Sequence, residues 1–179
     1  MKKIIIIFAF MIYLTNSVTS TPYQINTIDL TNITNLSVTR YDATPSGIFF
    51  NSSGTAMYIL GGTNGKVYQY NLSIAWNINS STEKTTNFTQ VLYEATPSSI
   101  RFNSSGTAMY ILGNTNDKIY QYNLTTPWQI SSASTSQTNF SIGNFEGSAR
   151  GLAFSLNGSF MFIIGTNKIY QYNLSIAWQ

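Results

Sequence analysis

The chain has 179 residues, 43% hydrophobic and 15% aromatic but only 8% charged, a composition that can bury a core and excludes a disordered polyelectrolyte. Its formal charge of +3 falls to +1 once Lys2 and Lys3 are set aside, with 7 Lys+Arg against 6 Asp+Glu, so there is neither a nucleic-acid footprint nor a polybasic membrane patch. With no His and no Cys, histidine-based triads, thiolate nucleophiles, imidazole metal sites and disulfides are excluded.

Lys2-Lys3, the apolar run 4–14 and the small residues ending at Ser20 have the three regions of a secretory signal peptide. The run is about eleven residues, whereas a bilayer span takes roughly twenty. The expectation is therefore a signal peptide over residues 1–20, with an uncleaved anchor as the alternative, and a secreted or extracellular-surface domain over 21–179 with no later membrane span. Asn-x-Ser/Thr sequons at Asn32, Asn35, Asn51, Asn71, Asn87, Asn103, Asn123, Asn139 and Asn173 would make it a glycoprotein on a eukaryotic route, although an Asn/Ser/Thr-rich composition generates many by itself.

Residues 43–61 recur at 95–113 and, degraded, at 147–165, an offset of 52 both times. Val-Tyr-Gln-Tyr-Asn-Leu at 67–72 returns at 119–124 and 169–174 with Ile for Val. These define repeats over 43–94, 95–146 and 147–179. Within the first, the pattern predicts strand A at 47–50, a Gly54 turn, an apolar strand B at 56–60, and an Asn64-Gly65 turn. The alternating strand C at 66–72 reads as more exposed, and strand D is expected at 89–93. Four antiparallel strands per unit, apolar inside and polar outside, is an all-β fold of β-propeller-type blades.

Phe50-Asn-Ser-Ser-Gly-Thr-Ala-Met-Tyr-Ile59, a Gly/Asn turn, then Val67-Tyr-Gln-Tyr-Asn-Leu-Ser73 resembles the YVTN-type, surface-layer-like propeller repeat. The chain departs from that pattern with Ser53 and Ser105 at the turn aspartate and with Asn71, Asn123 and Asn173 after strand C. The resemblance rests on structural residues, so it implies a fold and an extracellular setting more strongly than a function.

Thr21-Pro22-Tyr23-Gln24-Ile25 lines up with Thr126-Pro127-Trp128-Gln129-Ile130, and a strand D near 36–41 precedes the first whole repeat. Propellers have four to eight blades. Three repeats read equally as half of a six-bladed homodimeric ring, each chain donating its first strand to the other's last blade, and as a fragment or shortened gene of a longer propeller. A closed three-blade monomer is the remaining alternative.

Two sets of residues recur with the repeat. Asp42, Glu94 and Glu146 follow strand D, and Lys66, Lys118 and Lys168 sit in the B–C turn, which predicts a polar rim on one face. Such a rim reads either as a cation or polar-ligand site or as copied, solvated loop charge. Trp76, Trp128 and Trp178, with Tyr23 in the equivalent place, form an aromatic ring on the opposite face, read either as a sugar-stacking surface or as blade-edge packing. No motif calls for a cofactor or a resident metal, and no carboxylate pair is placed for acid–base work. The functional expectation is a non-catalytic binding or interaction module for a protein or glycan ligand, not an enzyme. A structural coat component, and more distantly a carbohydrate-binding protein or metal-dependent hydrolase, are the alternatives.

Overall fold

Short apolar runs punctuated by Gly-containing turns favour antiparallel meanders, and the computed structural model, which describes residues 29, 31, 33–82, 86–89, 94–143 and 147–177, contains three of them. The first consists of β1 (Pro45–Phe50), β2 (Ala56–Gly61), β3 (Lys66–Asn71) and β4 (Thr86–Thr89), paired in that order. The second repeats it with β5 (Pro97–Phe102), β6 (Ala108–Gly113), β7 (Lys118–Asn123) and β8 (Thr138–Ser141). The third has β9 (Gly151–Phe154), β10 (Phe160–Ile164) and β11 (Ile169–Asn173). Glycine supplies the left-handed backbone of each A–B hairpin, with φ 70° at Gly54 and 72° at Gly106.

These sheets are β-propeller-type blades. Their first strands, β1, β5 and β9, approach one another and so lie innermost, and successive sheets pack face to face. Because side chains alternate along a strand, each sheet has two sets of apolar residues. Tyr58, Leu60 and Val67 of the first sheet meet Ile100, Met109, Ile111, Tyr120 and Tyr122 of the second. Leu112 and Ile119 on the other side of the second sheet meet Leu152, Met161 and Ile163 of the third. Each fully buried aliphatic side chain contributes roughly 1.5–3 kcal/mol. Residues 34–179 form one compact unit containing all three sheets.

Three expectations change. Strand C of the first two blades is not an exposed strand: Val67, Tyr68, Gln69 and Tyr70 are all buried, because both faces of the first sheet are covered. Strand D begins earlier than the expected 89. A 3₁₀ turn at Ile78–Ser80 folds the chain back so that Ser81 bridges Leu72 and Thr82 N–H donates to Asn71 O, and pairing with β3 already begins at Thr86. Residues 90–93, like the proposed signal peptide, lie outside the described residues. Finally, the lead-in expected as a strand over 36–41 pairs with no strand: 39–41 form a turn, while Leu36, Val38 and Tyr41 pack on the outer face of the first sheet against Met57, Ile59, Tyr68, Tyr70 and Leu72.

The tyrosines in these interfaces differ in polar satisfaction. Tyr58 is fully buried, its phenol is pushed above the usual range by that burial, and its hydroxyl donates to Trp128 O at 2.6 Å. The Tyr70 hydroxyl, held up to about 12 chiefly by burial, has no hydrogen-bond partner. Tyr58→Phe is therefore expected to cost about 1 kcal/mol, the net worth of one hydrogen bond with its partner left buried, while Tyr70→Phe should be neutral or stabilising. Urea denaturation of the two variants checks this, and equal costs would contradict it.

Candidate functional site

A short acidic loop leads from strand D into the next blade, and its carboxylate is turned inward. Asp42 Oδ1 accepts from Thr44 N–H at 2.8 Å, and Oδ2 accepts from the N–H groups of Thr63 at 3.2 Å and Asn64 at 3.0 Å. Glu94 repeats the arrangement: Oε1 accepts from Thr96 N–H at 2.8 Å and Thr115 N–H at 3.0 Å, and Oε2 from Asn116 N–H at 3.2 Å. The two residues are only 4% and 0% exposed. Each carboxylate thus clamps the D–A loop to the B–C turn, and the Thr44–Thr63 and Thr96–Thr115 hydroxyl pairs close the same gap. Strand B ends in Gly61 and Gly113 because a methyl group there would overlap the Asp42 and Glu94 carboxylates.

The expected rim of solvated, alternating charges is therefore corrected at Asp42 and Glu94. The two loop types do share a face, but burial among unpaired turn amides turns the carboxylates into structural acceptors. Lys66 and Lys118 are half-buried and Lys168 is exposed, so these lysines reach the surface where Asp42 and Glu94 do not. Glu146 lies outside the described residues.

On the opposite face, the C–D connection folds over the A–B hairpin. Trp76 and Trp128 both take a left-handed backbone, φ 64°, and donate their N–H groups to Gly54 O at 2.8 Å and Gly106 O at 2.9 Å. Their indoles lie on the glycines, where any Cβ would overlap the ring. Trp128 is also stacked on Phe49 of the preceding blade, with centroids 6.4 Å apart and planes 16° apart, and packs on Phe102 at 5.6 Å. Trp76 touches Phe50 at 5.4 Å but stays 61% exposed. Packing against the hairpin accounts for both indoles, and Trp76 in addition presents a face to solvent. Tyr23 and Trp178 lie outside the described residues.

Several features were not singled out by the sequence. Gln69, fully buried, accepts from Ile130 N–H at 3.1 Å, tying the first blade to the 3₁₀ turn Ile130–Ser132 of the second. Its position inside an alternating strand C was the available signal. Asp117 replaces the turn glycine Gly65, keeps a left-handed φ of 49°, and holds a buried Oδ1 without a hydrogen-bond partner. Asn51 and Asn103, two of the sequons, are buried and accept from Ala56 N–H and Ala108 N–H, each at 3.0 Å, so these two amides serve the hairpin. Among the described residues, no three His, Cys, Asp or Glu side chains gather in a metal-binding group, and no helix is long and apolar enough to cross a membrane.

An opening of about 590 Å³ lies between the second and third blades, lined by Tyr110, Ile119, Gln121, Phe140, Tyr172 and Leu174 among others. Their repeat counterparts between the first and second blades are Tyr58, Val67, Gln69, Phe88, Tyr122 and Leu124, and that seat is filled by Ile130.

Against known proteins, no protein-family model matches the chain, and no curated protein matches it. Solved structures do. A candidate 6-phosphogluconolactonase from Bacteroides uniformis aligns at TM-score 0.56 and 12% identity over 74% of this chain and 38% of its own. Another from Bacteroides fragilis aligns at 0.55 and 13% over 72% and 34%, and a protein from Lactobacillus plantarum at 0.54 and 15% over 73% and 38%. The chain thus spans between a third and two fifths of the length of these structures. At such identities the likeness is one of fold, three blades' worth of stacked antiparallel sheets.

Proposed function

We propose that the chain is a secreted or surface-exposed, non-catalytic binding module on a β-propeller scaffold, related to the YVTN-type surface-layer-like repeats, with two copies completing a six-bladed ring. The observation that carries the binding reading is the fate of the recurring carboxylates. Asp42 and Glu94 are saturated by backbone amides, so the repeated acidic positions hold loops in place and leave the exposed loop ends to Ser, Thr and Asn. Loops of that chemistry on a rigid scaffold recognise polar ligands by hydrogen bonding. On the opposite face, the exposed Trp76 ring offers a sugar or peptide an apolar platform.

A glycan array, with a pull-down from the native extracellular fraction, tests this reading. Specific capture of a glycan or protein, weakened by Trp76→Ala, is expected; the absence of any ligand in both assays counts against a binding module and toward a structural coat component. The lactonase name carried by two structural neighbours suggests a hydrolase. That reading needs an acid–base pair, and the amide-saturated Asp42 and Glu94 do not supply one.

A further inference from the structure

The four-residue strand D has a sequence signature, Thr-Asn-Phe-Thr in β4 and Thr-Asn-Phe-Ser in β8, and Thr34-Asn35-Leu36-Ser37 stands 52 residues before β4. In the blades, the Phe of this signature does two things: it pairs through the backbone with strand C of its own sheet, and it packs on the strand C tyrosine of the following sheet. Phe88 lies edge-on to Tyr122 at 4.8 Å and Phe140 edge-on to Tyr172 at 5.5 Å. Leu36 already makes the second contact, against the cluster containing Tyr70, the counterpart of Tyr122 and Tyr172. It lacks the first, because residues 33–38 pair with no strand.

The complementary vacancy is at the far end of the row. β11 is the edge of a three-stranded sheet whose counterparts β3 and β7 carry a strand D. Ile169 is 71% exposed there, against 0% and 5% for its counterparts Val67 and Ile119. On the outer face of the first blade, Ile48 is 54% exposed where Ile100 and Leu152 are buried. Each terminal blade thus leaves exposed an apolar position that a neighbour covers elsewhere, Ile48 on the innermost strand of the first and Ile169 at the edge of the third.

We infer that residues 34–37 of a second copy add to the β11 edge as the fourth strand of the third blade, in the register of β7 with β8: Ser37 opposite Lys168, Leu36 opposite Ile169, Asn35 opposite Tyr170 and Thr34 opposite Gln171. This rests on the ring reading above and names its joint. The donor is a second copy because Leu36 sits on the outer face of the first blade, with the second blade between it and the third, out of reach of the β11 edge of its own chain. Reciprocal donation between two copies gives six four-stranded blades and covers the β11 edge with a strand D like those of the other sheets. The lead-in is continued upstream by Tyr23-Gln24-Ile25, which matches in sequence the Trp128-Gln129-Ile130 turn that fills the seat between the first two blades.

The test uses the absence of native cysteine. Residues directly opposite in antiparallel strands have Cα atoms roughly 4.5–5.5 Å apart, within reach of a disulfide. Ser37→Cys and Lys168→Cys replace exposed side chains, and when the two single variants are mixed and oxidised, the chain is expected to shift to twice its mass on a non-reducing gel. A mixture of Ser37→Cys with Asn173→Cys, about five residues off register, is expected to stay at single mass. Equal cross-linking of both pairs, or of neither while the protein is dimeric by light scattering, overturns the strand addition and spares the ring. An intrachain bond in the Ser37→Cys/Lys168→Cys double variant, or a monomer by light scattering, overturns both.

Discussion

Glu94→Ala is expected to lower the unfolding free energy by about 3–5 kcal/mol, the loss typical of removing one partner from a buried charged group and its hydrogen bonds. Three backbone N–H groups, of Thr96, Thr115 and Asn116, would lose their acceptor inside the joint between two loops, at a residue with no exposure to water. Since a domain of this size is stable by only about 5–15 kcal/mol, the second blade would be near its limit. Glu94→Gln keeps an acceptor oxygen and should recover part of the loss. Urea midpoints at unchanged slope read the difference directly. A Glu94→Ala variant within 0.5 kcal/mol of the parent, the range of ordinary surface substitutions, would return this residue to the solvated rim.

Gly106→Ala is expected to cost roughly 2–5 kcal/mol. A left-handed backbone costs a non-glycine residue about 1–2 kcal/mol, here at φ 72°. The new methyl group would overlap the Trp128 indole, which packs on Phe49 and Phe102 while the Trp128 backbone N–H donates to Gly106 O. Overpacking of that kind adds a further 1–3 kcal/mol or so. Gly54→Ala makes the same clash with Trp76, but Trp76 is mostly exposed and can swing aside, so its cost should stay near the backbone figure of about 1–2 kcal/mol. Thermal unfolding followed by tryptophan fluorescence separates the two. Equal costs would mean that Trp128 is no better anchored than Trp76.

The repeat made the blades legible, since hairpin glycines and strand alternation are local and recur at a fixed offset. Strand C of the first two blades was misjudged because alternation reads as one exposed face only when one face lacks a neighbour, and here both are covered. The start of strand D was placed too late because its polar Thr-Asn-Phe-Thr sequence carries little apolar pattern, and pairing begins soon after the 3₁₀ turn. Asp42 and Glu94 were legible as a recurring pair but not as buried, because an acid in a loop is ordinarily solvated. Their burial follows from turn amides some twenty residues away, a relation visible only once the B–C turn is folded against the D–A loop. The match of Thr34-Asn35-Leu36-Ser37 to strand D was missed in the sequence, where the strand was placed at 36–41, and emerged only when β4 and β8 showed where that signature pairs.

The mass of the protein in solution, by light scattering on the chain from residue 21 onward, tests the account most directly. Two copies in a compact particle is the result predicted by the unpaired strand D signature at 34–37, an exposed Ile169 edge and an exposed Ile48 face. A compact, monodisperse monomer at micromolar concentration would contradict it.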